Sequence, residues 1–206
     1  GVLLFIFKIF TGMSFLNIYF YFITLSFIVS LFLYKDESHP YLKYFPPFLF
    51  TTIVGEFTAS YLGYLGKNNL FIYNFFTVIE FCFYILIVSN IVHNSRAKKI
   101  IRISSFLYSI IAISNILFYQ GMNAFHTITY CLGCLVIVAV CIYYFFELFE
   151  SPKYIKLTRD PAFWICSGLL FFYCCGFPLY AFANFWVRFK FVIENIENFI
   201  TILNIF

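Results

Sequence analysis

The chain has 206 residues, 63% of them hydrophobic and only 11% charged, with a net charge of +4 and a mean hydropathy of +0.92. Soluble domains are roughly half apolar and a quarter charged, so this balance excludes a water-soluble domain and points to an all-α, polytopic transmembrane bundle embedded in a lipid bilayer. The basic residues sit in short loops between apolar runs with no stripe to follow a phosphate backbone, which excludes nucleic acid as a partner.

Residues 1–10 form an apolar piece interrupted by Lys8 and lacking an initiator methionine, read as a processed or truncated start. The first full span covers 15–34, about the 20 residues needed to cross about 30 Å of hydrocarbon. A charged loop, 35–43, leads to a second span over 44–64. This one opens on Pro46 and Pro47, tolerated only where a first helical turn has no donors to lose. Thr52, Glu56, Ala59, Ser60 and Gly63 share one of its sides, a small and polar stripe that lets helices approach closely.

A turn over 66–69 reverses the chain into the third span, 70–92. Tyr73, Thr77, Glu80 and Tyr84 follow at i, i+4, i+7 and i+11 and are expected to line one face. Insertion scales put an acidic or basic group at the bilayer centre at about 2.5 to 3.5 kcal/mol unfavourable. An apolar residue returns only about 0.3 to 0.6. Glu80 is therefore expected to face other helices, protonated or hydrogen-bonded. With Glu56 it makes two mid-membrane carboxyl groups on neighbouring antiparallel spans.

The most basic loop comes next, with Arg96, Lys98, Lys99 and Arg102, and the fourth span is expected over 103–119. There Ser104, Tyr108, Asn115 and Tyr119 fall within a narrow arc, and Asn115 is the one deep amide. After a tight uncharged turn the fifth span runs 124–146, with His126 near the membrane surface and Glu147 and Glu150 solvated beyond its far end. Asp160 and Pro161 start the sixth span, 161–186, as N-cap and first helical residue. Trp164 and Trp186 lie about 33 Å apart along it and suit opposite interfaces. Pro178, inside this helix, is expected to kink it and is a hinge candidate. A seventh span, 192–206, is read as incomplete, so the predicted fold is a seven-helix bundle with its last helix truncated and no soluble domain.

Counting Lys and Arg by loop gives nine on one side (Lys35, Lys43, Arg96, Lys98, Lys99, Arg102, Lys153, Lys156, Arg159) and four on the other (Lys8, Lys67, Arg188, Lys190). Placing the richer side in the cytoplasm puts the N-terminus outside a cytoplasmic, or inner, membrane. The seven cysteines all fall in apolar runs, where a thiol packs as a small hydrophobe. Cys131 and Cys134 spell CxxC, but with no second pair and no paired histidines nearby no metal or cofactor is assigned.

The segments YNFFTVIEF (73–81), 115–120 and DPAFWICSGLLFFY (160–173), with NFITILNIF at 198–206, resemble a family of uncharacterised bacterial seven-helix membrane proteins. That resemblance implies a seven-helix fold whose last helix continues further, and it supplies neither an activity nor catalytic residues.

Three classes of function fit. A sensory or receptor-like module would use an intramembrane polar pocket built from Glu56, Glu80, Tyr73, Thr77, Tyr84, Tyr108 and Asn115 to bind a small molecule or ion, and signal to a cytoplasmic partner or C-terminal domain. A small ion- or proton-coupled transporter would use Glu56 and Glu80 as its coupling site. An intramembrane lipid-acting enzyme is opposed by the lack of HExxH, GxSxG or a close His–acid pair. A retinal protein is disfavoured because the third span lacks an arginine. The receptor-like reading is preferred on architecture, which is an analogy of fold rather than of site.

Overall fold

The computed structural model of the protein describes residues 14–34, 38–121, 126–150 and 157–181. The expected seventh span, Trp186 and residues 182–186 of the sixth span lie outside them. Among the described residues there are six α-helices: α1 (Ser14–Leu33), α2 (Phe45–Tyr64), α3 (Leu70–Ile91), α4 (Ser95–Ser114), α5 (Thr127–Glu150) and α6 (Pro161–Ala181).

Four of these, α3 to α6, contain stretches long and apolar enough to cross a membrane, which makes this a multi-pass helical membrane protein. Their outward faces agree: Phe106, Leu135, Phe146 and Phe171 are all more than half exposed, a surface suited to lipid and costly in water. At 20 residues α2 is long enough as well, but Thr51, Thr52, Glu56, Thr58 and Ser60 dilute its hydropathy. Its threonines conceal that polarity within the helix. Thr51, Thr52 and Thr58 each donate to the carbonyl four residues back, at 2.8, 2.9 and 2.7 Å. A hydroxyl satisfied this way can face an apolar neighbour without an orphaned donor.

The turn between α2 and α3 depends on Gly66. Its φ of 68° is left-handed, a region L side chains avoid. From there the Gly66 N–H reaches the Gly63 carbonyl at 3.2 Å and the Lys67 N–H reaches that of Leu62 at 2.9 Å, closing the end of α2. Buried Asn69 then donates its Nδ2 to the Ala59 carbonyl at 2.7 Å, fastening the start of α3 to α2.

Two features of α4 differ from the sequence expectation of a span over 103–119. The helix starts two turns earlier, at Ser95, because Asn94 caps it: its side chain accepts from the N–H groups of Arg96 at 2.9 Å and Ala97 at 3.4 Å. The cluster of cations expected in a loop therefore rides on a helix. At the other end Asn115–Tyr119 is a π-helical turn. Its wider winding rotates this end of the span out of the arc drawn from Ser104 and Tyr108, so Tyr108 is buried while Tyr119 is 85% exposed.

His126, expected near the membrane surface and open to solvent there, is instead buried, with Nε2 2.6 Å from the carbonyl of Gly121, whose own φ is 69°.

The bundle is organised around α3, which packs against α2, α4 and α5, while α5 and α6 pair closely. Fully buried Phe81 lies at the centre. Its ring meets those of Tyr108, Tyr130 and Tyr173 at 5.5, 5.2 and 5.1 Å, so side chains of α4, α5 and α6 converge on one residue of α3. Gly133 makes this possible, since a Cβ there would lie 2.6 to 2.7 Å from the Phe81 ring.

Candidate functional site

The sequence reading expects Glu56 of α2 and Glu80 of α3 to share one intramembrane pocket. Glu56 is buried, and its Oε2 accepts from the Tyr73 hydroxyl at 3.4 Å. Tyr73 packs beside Ala59 and Ile72, in a cluster separate from the main core. Glu80 is half-buried, and its Oε1 accepts from the hydroxyl of Tyr173 on α6 at 3.3 Å. Tyr84 lies against Tyr173 with ring centroids 6.2 Å apart.

The stripe is therefore divided. Tyr73 serves α2 and Glu80 serves α6, while the Tyr84 ring lies between Phe48 of α2, at 5.6 Å, and Tyr173 of α6. Each carboxyl group is held by a tyrosine on another helix, which answers much of the cost of placing it in an apolar bundle.

Of the remaining predicted residues, Thr77 is half-buried on α3, and Tyr108 is buried with a hydroxyl that has no hydrogen-bond partner among the described residues. Asn115 is buried, but its Nδ2 donates to Gln120 Oε1 at 2.7 Å, across its own π turn. The amide thus binds its own segment, not a neighbouring helix. Pro178 lies within α6.

A polar concavity lies elsewhere. A cleft of about 790 Å³ opens at the end of the bundle where the loops before α2, α4 and α6 meet, within the size range of small-molecule sites. Its wall takes Ser38, His39 and Tyr41 from the first loop, Asn90 and His93 from the end of α3, Tyr144 and Glu147 from α5, and Arg159 and Asp160 from the approach to α6.

Helix-end chemistry explains why several of these converge. Glu147 was expected to be solvated; instead its Oε2 and Oε1 accept from the backbone N–H groups of His93 and Asn94 at 2.8 and 2.6 Å. Those donors belong to the α3–α4 turn and have no helical partner, so the carboxylate ties α5 to that turn. Asp160 caps α6, its Oδ1 accepting from the Ala162 N–H at 3.0 Å, and its Oδ2 lies 3.5 Å from the Tyr144 hydroxyl. Both carboxylates are thereby committed to structure. Arg159 and the imidazole of His93, by contrast, line the cleft with no ion-pair or hydrogen-bond partner among the described residues.

No family model, no curated protein and no solved structure matches the chain.

The cleft was not found from sequence because its residues are scattered over four segments and each has an ordinary reading there. Asp160 is legible as a cap, Arg159 as a topology charge, and His39 and His93 as loop residues. Only the shared loop side, inferred from charge counting, hinted that they could meet. All seven cysteines are free thiols. Among the described residues no group of three or more His, Cys, Asp or Glu is arranged to hold a metal ion.

Proposed function

We propose that this multi-pass membrane protein is a receptor-like binding module whose ligand site is the cleft at the basic end of the bundle, and that the mid-membrane carboxyl groups are structural supports. By the loop charge bias that end is cytoplasmic, with the N-terminus outside. The observation that carries this reading is the composition of the cleft wall. Its carboxylates are spent on backbone donors and a tyrosine hydroxyl, whereas Arg159 and His93 keep donors to offer. A site of this kind favours a small anionic molecule, with Arg159 as its main charge partner. Because the wall joins the ends of α3 and α5 to the start of α6, a ligand seated there touches three elements at once.

The test is a thermal-shift screen of the purified full chain against inorganic phosphate and small mono- and dicarboxylates, repeated on Arg159→Gln. At least one probe should raise the Tm of the parent protein and fail to do so for the variant. Equal shifts in both proteins, or none in either, would overturn the assignment of the cleft.

A further inference from the structure

We propose that α4 carries a binding site for an anionic phospholipid of the surrounding bilayer, formed by Lys98, Lys99, Arg102 and Ser95 above Ile103 and Phe106. These six residues line a separate concavity of about 360 Å³. They fall at positions i, i+3, i+4, i+7, i+8 and i+11 of one helix, so they share a face. The face is graded along its length, with hydroxyl and cations in the first two turns and exposed Ile103 and Phe106 in the third. At 1.5 Å per residue the step from Lys99 to Phe106 is about 10 Å, which takes a bound molecule from headgroup depth into the acyl region.

Electrostatics favours the same occupant. Lys98 and Lys99 have no ion-pair partner among the described residues. With Arg96 they crowd the start of α4, which has no acidic residue in its first turn. The positive end of a helix macrodipole repels such charges, and an anion beside them relieves both the dipole and their mutual repulsion. Arg102 is already oriented, because its Nη2 donates to Asn90 Oδ1 at 3.1 Å. A soluble anion would satisfy the cations alone. The apolar lower half of the face is what selects a lipid, consistent with basic pockets at helix ends that hold lipid headgroups.

The full chain is to be placed in nanodiscs of phosphatidylcholine, with and without phosphatidylglycerol, and retained lipid and Tm measured by native mass spectrometry and thermal unfolding. The parent should retain phosphatidylglycerol over phosphatidylcholine and melt higher in its presence. In Lys98→Gln/Lys99→Gln that preference should fall about fivefold per cation removed, the equivalent of about 1 kcal/mol each. Lys98→Arg/Lys99→Arg should keep it, and Lys67→Gln, at the opposite end of α3, should leave it unchanged. The Gln pair should match the parent's Tm in phosphatidylcholine alone; a lower Tm there would mark the cations as structural and overturn the site. So would an equal loss in Lys67→Gln, which indicates bulk charge, or a stabilisation by free inorganic phosphate that Lys98→Gln/Lys99→Gln abolishes and Arg159→Gln does not, which would make the occupant of this site a soluble anion.

Discussion

Glu80 shows how a single residue can be informative about placement and silent about use. A carboxyl group on an apolar helix must find a partner, and the hydroxyl of Tyr173 on α6 is that partner. If acceptance of this hydrogen bond is its whole role, Glu80→Gln keeps an acceptor oxygen and should melt within about 0.5 kcal/mol of the parent. Glu80→Ala leaves the buried Tyr173 hydroxyl unpaired and should cost about 1 to 2 kcal/mol. Thermal unfolding of both variants in detergent decides it. A Gln variant as unstable as the Ala variant would show that acceptance of the Tyr173 hydrogen bond is not its whole role.

At the scale of elements, helix ends do most of the assembly. Asn94 starts α4, Gly66 ends α2, Asp160 starts α6, and Glu147 at the end of α5 captures two backbone donors of the α3–α4 turn. Removing the last of these should loosen the basic end of the bundle while leaving the mid-membrane packing around Phe81 intact. Glu147→Ala is expected to lower stability by about 1 to 2 kcal/mol, since hydrogen bonds to a charged acceptor are worth more than neutral ones, with Glu147→Gln in between. Hydrogen exchange should quicken at the His93 and Asn94 amides in particular. Unchanged protection at those two positions would refute the clamp.

For the whole molecule, the loops before α2, α4 and α6 meet at one end, as the lining of the cleft demonstrates. By sequence those loops and the first turns of α4 hold nine of the thirteen Lys and Arg residues, and the six among the described residues, Lys43, Arg96, Lys98, Lys99, Arg102 and Arg159, lie in the segments that meet there or in the first turns of α4. A reporter inserted in 153–159 should be cytoplasmic and one in the 66–68 turn external. The opposite labelling pattern would reverse the orientation and move the cleft and the phospholipid site to the outer face.

Composition and hydropathy by themselves determined that the chain is helical and membrane-embedded, because burying a peptide backbone in lipid leaves few alternatives and apolar runs of about 20 residues declare their own length. Local chemistry was legible for similar reasons. The Asp160–Pro161 start of α6 and the 66–69 turn depend on residues a few positions apart. Tertiary structure decided what depends on rotation and long-range pairing. Helical periodicity put Tyr73 and Glu80 on one stripe, but two different helices divide it. A π turn, which no apolar pattern announces, removed Tyr119 from the arc of Tyr108 and turned the Asn115 amide onto Gln120 of its own segment. The early start of α4 was concealed because hydropathy tracks apolar content, whereas the helix is set by an Asn94 cap and continues through charged residues. The cleft was illegible for a further reason: its polar groups lie up to about 120 positions apart, and nothing short of the packed bundle states that their helix ends coincide.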